Sequence, residues 1–279
     1  MASLAHSEPS SELSGKVAIV TGAGRLRGIG RATANVLARM GANVVVTGTG
    51  RNPNTFPEDE KEAEWHDIHS TAEEVEAFGV RALPLVVDVA DEDDVQGMIG
   101  ATLAEFGRID IIVNNAAAPY GDDRVPVIDL PTDVFKKVID VKLMGTYYCS
   151  KAAATEMIKQ GEGGRIVNLS SSMGKSGQAN TSAYNAANFA VDGFTQALAK
   201  EMAMHNITAN CVCPGLTDTA RMDPMRSSGG MDARLSGIPM GRLGTDDEVG
   251  ELIGFLCSPK AGYITGQAIN INGGTITER

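Results

Sequence analysis

Ser171 and Tyr184 are the residues of this chain best suited to proton chemistry. A serine hydroxyl can hydrogen-bond a substrate oxygen, and a tyrosine phenol can pass a proton to the same atom. A free phenol titrates at about 10, so it needs a nearby cation to work as a base at neutral pH. The position one helical turn after Tyr184, on the same helix face, holds the neutral Asn188. The sequence therefore predicts an acid/base tyrosine that lacks a cation where one is expected.

A lysine upstream, Lys142, offers a replacement charge. A cation about 5 Å from a phenolate, at an effective dielectric constant of about 20, contributes roughly 3 kcal/mol, on the order of two pKa units. We expect Lys142 to reach across from its own helix on its four-carbon stem and to supply this charge. The alternative is that Lys142 is solvated and the site is inactive.

The elements that position these residues follow an alternating pattern. Short β-branched runs alternate with longer helical patterns, which is typical of βαβ units. This pattern predicts a doubly wound α/β fold, a mostly parallel Rossmann-type sheet with helices on both faces. The predicted strands cover residues 16–20, 43–47, 82–87, 109–113, 165–169, 208–212 and 268–271.

The domain organisation is predicted to be simple. Residues 1–13 are small and polar, and we expect a disordered N-terminal arm there. Residues 14–279 are predicted to form a single domain. Two stretches interrupt the alternation of strands and helices: an insertion near 50–70 and an irregular segment near 218–243. Irregular segments of that length inside a domain usually form lids or binding loops, so we expect a substrate lid at 218–243.

The first strand runs into a glycine-rich turn that opens a helix from about residue 28. Glycines let the backbone approach a pyrophosphate, while the helix N-terminus provides free N–H groups and a partial positive charge. In this strand–turn–helix context the turn predicts a dinucleotide site. The residues of the turn expected to contact the cofactor are Gly22, Gly24, Arg25, Arg27, Gly28, Ile29 and Gly30.

Residues 15–274 resemble the short-chain dehydrogenase/reductase family. The resemblance implies an NAD(P)-dependent oxidoreductase, such as a ketoreductase, that interconverts a secondary alcohol and a ketone with the tyrosine as acid/base. The glycine turn departs from the family pattern by two extra residues before Gly28. The motifs that carry the resemblance are the glycine turn, Asp88-Val89, Asn114-Asn115-Ala116-Ala117, Ser171 with Tyr184, Pro214-Gly215 with Thr217 and Thr219, residues 263–267, and Gly273-Gly274.

The resemblance also implies roles for single residues. In the family the cation is a lysine at the position of Asn188, and an asparagine that holds a relay water stands at the position of Lys142. The catalytic tetrad therefore becomes Lys142, Ser171, Tyr184 and Asn188, with two positions exchanged. Asp88 and Val89 are implied to hold the adenine, Asn114 the ribose side, and Thr217 with Thr219 the nicotinamide amide and the phosphates. Further implied cofactor contacts are Ala116, Tyr184, Asn188, Pro214 and Gly215.

The cofactor choice depends on the end of the second strand. An NAD site needs a carboxylate there to accept from the ribose 2′-hydroxyl. This chain instead has the hydroxyl of Thr49 and the guanidinium of Arg51, with Arg25 and Arg27 in the turn. NADP(H) is therefore favoured. NAD(H) stays the alternative, because the acidic run 58–60 in the insertion could fold back over the pocket.

Composition excludes several other classes of protein. The net charge of −11 argues against a nucleic-acid surface, and no apolar run is long enough to span a membrane. The cysteines show no CxxC spacing, which is typical of buried reduced thiols in a cytoplasmic protein. His66 and His69 are three residues apart without a further ligand, so no metal site is expected.

The predicted partners are a small carbonyl or alcohol substrate and further copies of the chain. By the resemblance, the helices that carry Lys142 and Tyr184 pack across a subunit interface in a homotetramer or a dimer. Tyr120, in the loop after the fourth strand, is expected to reach the substrate pocket.

Two other functions remain open from the residues. One is a catalytically impaired nucleotide-binding protein, a sensor or assembly partner that has lost proton transfer. The other is an enzyme of the same scaffold with altered chemistry, such as imine reduction.

Overall fold

Continuous apolar strands form the centre of the protein, whose computed structural model describes residues 11–227, 229 and 231–278. All four residues of the first strand are buried, as expected for a parallel sheet covered on both faces. The strands are Val17–Val20 (β1), Asn43–Gly48 (β2), Ala82–Val86 (β3), Ile111–Asn114 (β4), Gly164–Leu169 (β5), Ile207–Pro214 (β6), Thr217–Asp218 (β7), Gly244–Thr245 (β8) and Ala268–Ile271 (β9).

Seven of these strands pair in the order β3-β2-β1-β4-β5-β6-β9, and each pair is parallel. The two short strands β7 and β8 pair with each other. The predicted doubly wound α/β fold and its seven predicted strands are thus confirmed. The strand order reverses between β1 and β4, and ligands of such sheets bind in the crevice outside the carboxyl ends of the strands at this point.

Helices cover both faces of the sheet. The segment Asp140–Met144 is π-helical and joins α5 to α6 without a break. The helices are Ile29–Arg39 (α1), Glu58–Glu62 (α2), Ile68–Glu76 (α3), Glu92–Phe106 (α4), Thr132–Ile139 (α5), Gly145–Gln160 (α6), Ser182–Met202 (α7), Asp223–Ser227 (α8), Met231–Ser236 (α9) and Asp246–Cys257 (α10).

The core has two halves because successive strand side chains point to opposite faces. Ala18 and Val20 of β1 pack with α1, α3 and α10, whereas Ile19 packs with α4, α6 and α7. This double packing leaves the carboxyl ends of the strands as the place where a polar site can open. None of the described helices combines the length and the apolar character that crossing a membrane requires.

The last residues of the N-terminal arm predicted for 1–13 have defined contacts. Residues 1–10 lie outside the described part of the chain. Leu13 is buried in the core, and its backbone N–H donates to the carbonyl of Met40 at 2.9 Å. Glu12 forms an ion pair with Lys260 at 2.5 Å. The last residues of the predicted arm are therefore part of the packed domain.

Candidate active site

A cavity of about 400 Å³ is lined by residues at and beyond the carboxyl ends of β4, β5 and β6. Its volume lies in the range of small-molecule sites. Several residues singled out from the sequence meet in its wall, which brings predicted catalytic and predicted cofactor residues into one place. They are Ile29, Tyr120, Lys142, Ser171, Tyr184, Pro214, Gly215, Thr217 and Thr219.

Ser171 and Tyr184 are positioned by neighbouring elements. Ser171 follows the end of β5 and caps a short 3₁₀ turn, where its Oγ accepts a hydrogen bond from the N–H of Met173 at 3.2 Å. Tyr184 lies in the first turn of α7 and is half-buried. The two hydroxyl-bearing side chains therefore share one cavity wall.

Lys142 lies in the π-helical segment between α5 and α6. Such segments occur frequently at functional sites. The residue is only 4% exposed, and it lines the cavity together with Tyr184. Burial lowers the pKa of Lys142 to about 8, while the nearby Cys211 raises it and Arg221 lowers it further. Lys142 is therefore not the solvated lysine of the alternative interpretation.

Asn188 is turned away from the cavity. Its side chain is fully buried, and its Nδ2 donates to the backbone carbonyl of Tyr184 at 2.8 Å. Its Oδ1 has no hydrogen-bond partner among the described residues. Asn188 is not among the described residues that line the cavity. The structure therefore does not bring it together with the other predicted cofactor residues.

Two arginines that the sequence did not single out for catalysis lie against Tyr184. The guanidinium carbon of Arg124 is 4.2 Å from the ring centroid of Tyr184, and that of Arg221 is 5.4 Å away. Both guanidiniums also lie near the ring of Tyr120, at 5.0 and 6.0 Å. Arg124 comes from the loop after β4 and Arg221 from the irregular segment 218–243. Neither segment has a periodic pattern, so the sequence carried no signal beyond the predicted lid.

The glycine-rich turn has the geometry that a dinucleotide needs. A Cβ on Gly30 would lie 2.5 Å from the carbonyl oxygen of Gly22, so α1 can approach the turn only with glycine there. Gly28 precedes α1 without a side-chain cap, although its N–H donates to Asp246 at 3.1 Å. The first-turn N–H groups of α1 remain oriented towards an anion. The residues fit a pyrophosphate.

Two asparagines at the end of β4, Asn114 and Asn115, have different roles. Asn114 is buried, and its Nδ2 donates to Ser150 and to Asn168, each at 2.8 Å. It therefore joins β4 to its neighbours instead of facing the cavity. Asn115 lines the cavity, and its Nδ2 donates to the carbonyl of Gly22 at 2.9 Å. Sequence reasoning named Asn114, but Asn115 is the residue that shapes the turn.

The insertion near 50–70 folds back over the end of β2. Arg51 donates to Asp67 at 2.9 Å and to Glu60 at 2.6 Å, and both carboxylates are buried. A Cβ on Gly24 in the glycine-rich turn would lie 2.0 Å from a carboxylate oxygen of Asp67, so the close approach of Asp67 requires glycine there. Asp67 also has a φ of 55°, a left-handed conformation that is costly for a residue other than glycine. Such strain is concentrated at functional sites.

The other predicted cofactor residues surround the turn without joining the cavity wall. Arg25 and Thr49 are exposed, and Arg27 forms ion pairs at 2.6 Å with Asp59 and with Asp223. Asp88 is exposed, and its side chain accepts a hydrogen bond from the N–H of Ala90. Val89 packs against Gly145. Ala116 lies beside Gly22.

The cysteines are free and buried, as expected from their contexts. Cys211 and Cys213 lie beside Asp192, and the Sγ of Cys211 is 3.1 Å from a carboxylate oxygen of Asp192. Burial raises the pKa of Cys211, which keeps the thiol protonated and able to donate. Cys211, Cys213 and Asp192 also act electrostatically on Lys142 and raise its pKa.

The fold and the cavity define a dinucleotide-binding α/β protein with a serine–tyrosine pair beside the cofactor site. Comparison with known proteins is consistent with this class. A family model described as enoyl-(acyl carrier protein) reductase matches residues 22–276. A 3-oxoacyl-[acyl-carrier-protein] reductase of Synechocystis sp. is 37% identical over 268 residues, 95% of this chain and 98% of that protein.

Two further proteins are similar over nearly the whole chain. The short chain dehydrogenase/reductase astE of Aspergillus oryzae is 39% identical over 96% of this chain and 97% of its own length. The crystal structure of a short-chain type dehydrogenase/reductase from Mycobacterium marinum aligns with a TM-score of 0.83 and 32% identity, covering 95% of this chain and 97% of that one. The chain belongs to the short-chain dehydrogenase/reductase family, and it is an oxidoreductase.

Proposed function

We propose that this protein uses a nicotinamide cofactor to interconvert a secondary alcohol and a ketone, with Tyr184 as the acid/base. The observation that carries the proposal is that Tyr184, Ser171 and Lys142 line one cavity with Ile29 and Thr217 of the predicted cofactor site. The similarity to a 3-oxoacyl-[acyl-carrier-protein] reductase supports carbonyl reduction as the chemistry.

The chain's own task in this reaction is to move a proton on or off the substrate oxygen. When bound, the nicotinamide supplies or accepts the hydride at the carbon atom. Ser171 holds the oxygen of the substrate by a hydrogen bond, and Tyr184 donates its phenolic proton to that oxygen during reduction. In oxidation the tyrosinate takes the proton back. Thr217 lines the same cavity, and we assign it the amide end of the cofactor.

Lys142, Arg124 and Arg221 are proposed to provide the positive field that the position of Asn188 lacks. With a pKa of about 8, Lys142 is largely protonated at pH 7. The two guanidiniums add charge within 6 Å of the Tyr184 ring, where each cation–ring contact is worth about 0.5–2 kcal/mol. A tyrosinate formed in this surrounding is stabilised by charge from three separate segments of the chain.

The cofactor choice is proposed to favour NAD(H), the alternative of the sequence-based prediction. Arg51, expected to meet a 2′-phosphate, is already paired with Glu60 and Asp67. Asp67 reaches the turn at Gly24 from the insertion, where its carboxylate could accept from a ribose 2′-hydroxyl and would repel a 2′-phosphate. Arg25 is an exposed side chain in the glycine-rich turn and is the residue that would favour NADP(H).

A homo-oligomer and a cytoplasmic location are also retained as proposals. Aromatic side chains on α6 and α7 support the first, because Tyr147 is 37% exposed and Phe189 is 46% exposed. Such exposed apolar side chains on adjacent helices are typical of subunit interfaces. The buried free cysteines support a reducing compartment.

Turnover of the nicotinamide absorbance tests the proposed function. The purified protein is supplied with NADH or NADPH and a panel of linear, cyclic and aromatic ketones. Reduction of any of them that depends on Tyr184 supports the proposal. Cofactor binding without turnover of any ketone would contradict it. Cyclic imines form a second panel, and their reduction without reduction of any ketone would show the altered chemistry instead.

A further inference from the structure

Four cationic side chains line the substrate cavity of this acidic protein. They are Arg124, Lys142, Arg221 and Arg234. No aspartate or glutamate is among the described residues of its wall, although the chain as a whole carries a net charge of −11. A cavity walled by one sign of charge concentrates ligands of the opposite sign. A neutral ketone would leave Lys142, Arg124 and Arg221 only their effect on Tyr184 and would not use the free hydrogen-bond donors of the arginines.

The two arginines nearest Tyr184 keep donors for a ligand. Arg221 donates to the carbonyl of Ala118 at 2.6 Å, and within the described part of the chain it forms no ion pair. Arg124 has Nε and Nη1 atoms that are buried without a hydrogen-bond partner. Its carboxylate neighbour, Asp123, is 3.6 Å from Nε, which makes an ion pair but is too far for a good hydrogen bond. Buried polar groups of this kind are usually satisfied, so a ligand is the natural partner.

Their position limits where the ligand's charge can be. Both guanidinium carbons lie within 6 Å of the ring centroid of Tyr184, the residue that meets the reacting oxygen. An anionic group held by them must therefore be only a few bonds from the carbonyl carbon. Guanidiniums present a planar fork of donors that matches carboxylate and phosphate groups.

We propose that the substrate is an anionic oxo or hydroxy compound whose carboxylate or phosphate group is bound by Arg124 and Arg221. This inference rests on the proposed function and specifies its substrate class. It distinguishes the protein from a reductase of neutral thioesters, because the charge stands beside the reacting group. Lys142 and the exposed Arg234 extend the positive wall on either side.

Matched substrate pairs test the inference. The kcat/KM values are compared for pyruvate and methyl pyruvate, for acetoacetate and methyl acetoacetate, and for dihydroxyacetone phosphate and dihydroxyacetone. We expect at least one anionic member to exceed its neutral partner by tenfold or more. The three pairs distinguish a carboxylate from a phosphate and a near charge from a farther one.

Variants link this preference to the arginines. In Arg124→Gln and Arg221→Gln, the ratio of kcat/KM for the anionic substrate to kcat/KM for its neutral partner is expected to fall at least tenfold. The ratio is used because it cancels any effect of the arginines on Tyr184 itself. Arg81→Gln removes an exposed charge that pairs with Glu105 and serves as the matched control, with the ratio unchanged.

A binding experiment separates this inference from the proposed function. Calorimetric titration with oxamate, a non-reducible anion, is carried out on the protein with and without NADH. Binding that weakens at least tenfold in Arg221→Gln supports the anion site even if no ketone is turned over. Reduction of neutral and anionic partners at equal efficiency in all three pairs would overturn the inference and leave the proposed function standing. So would the absence of binding of both oxamate and inorganic phosphate to the wild-type protein in either state.

Discussion

The guanidinium of Arg124 lies over the ring of Tyr184, with 4.2 Å between its central carbon and the ring centroid. This contact places a charge beside the phenol from a loop far along the chain from Asn188. Position 188 carries no charge, and its side chain is buried against the backbone of α7. The electrostatics of the phenol therefore depend on segments that sequence spacing does not connect.

Tyr184→Phe is expected to lower kcat by about a hundredfold to ten-thousandfold, the usual contribution of a positioned acid or base. The phenyl ring keeps its contacts with both arginines, so cofactor affinity and folding should change little. Steady-state kinetics and cofactor titration check this. The exposed Tyr263 provides the control, since Tyr263→Phe should behave as the wild-type protein. A Tyr184→Phe protein of undiminished kcat would rule out Tyr184 as the acid/base.

Lys142 and Asn188 can be exchanged to test whether they compensate each other. Lys142→Met is expected to lower kcat about 10–100-fold at pH 7, because the field of one nearby cation is lost while the arginines remain. The double variant Lys142→Asn with Asn188→Lys should recover part of the activity. Lys151→Met, on the exposed face of α6, is the control. Unchanged turnover in Lys142→Met would contradict the compensation.

The pH dependence of turnover should follow the protonation of Lys142. Burial lowers the pKa of Lys142 to about 8, so its positive charge is lost as the pH rises through that value. Turnover that depends on this charge is expected to decline above pH 8, and the decline should be absent in Lys142→Met. A pH–rate profile of both proteins measures it. The charged or titratable groups that act on Lys142 are Asp192, Cys211, Cys213 and Arg221.

The same burial predicts a gain in stability on removal of the lysine. Burial holds the pKa of Lys142 at about 8 in the folded protein, below the ordinary lysine value of 10.5, so the charged form costs about 3 kcal/mol below pH 8. Between pH 8 and 10.5 the unfolded chain binds more protons, and the contribution of this group to stability rises with pH. Lys142→Met should therefore raise the free energy of unfolding at pH 7 more than at pH 10. Urea unfolding at the two pH values checks this, and a variant less stable at pH 7 would contradict it.

Asp67→Asn should shift cofactor use towards NADPH. Asparagine tolerates the positive φ at this position, so the substitution removes the charge without adding backbone strain. We expect the ratio of kcat/KM for NADH to that for NADPH to fall about tenfold or more. Glu62→Gln, an exposed change on α2, should leave the ratio unchanged. An unaltered ratio in Asp67→Asn would show that the insertion does not select the cofactor.

Two glycines provide a matched pair for the dinucleotide turn. Gly30→Ala places a Cβ 2.5 Å from the backbone oxygen of Gly22, so cofactor affinity and stability should both fall. Gly100→Ala lies in α4, where a Cβ meets no atom within 4 Å. It should increase the free energy of unfolding by about 0.5–1 kcal/mol. Fluorescence titration of NADH and thermal unfolding measure the two effects, and equal behaviour of both variants would refute the close approach.

Much of the fold was predictable because it depends on local patterns. A buried parallel strand needs a short β-branched run, and a pyrophosphate turn needs glycines before a helix, so the seven strands and the turn could be located from the residues alone. Ser171 and Tyr184 could also be singled out from the sequence. They are thirteen residues apart, and the end of β5 and the start of α7 place them in one cavity wall.

Other parts of the site depend on long-range placement. Arg124 and Arg221 reach Tyr184 from irregular segments, whose paths follow from packing and not from periodicity. Asp67 reaches the glycine turn because Arg51 pairs with it across the insertion. The side chain of Asn188 points to the buried face of α7, and this direction likewise follows from how α7 packs.

The sequence by itself thus determined the family, the sheet and the serine–tyrosine pair, since these follow from residue types at short separations. The tertiary structure decided the charges around that pair. Charges act through space, and only the folded chain sets the distances between Lys142, the two arginines and Tyr184.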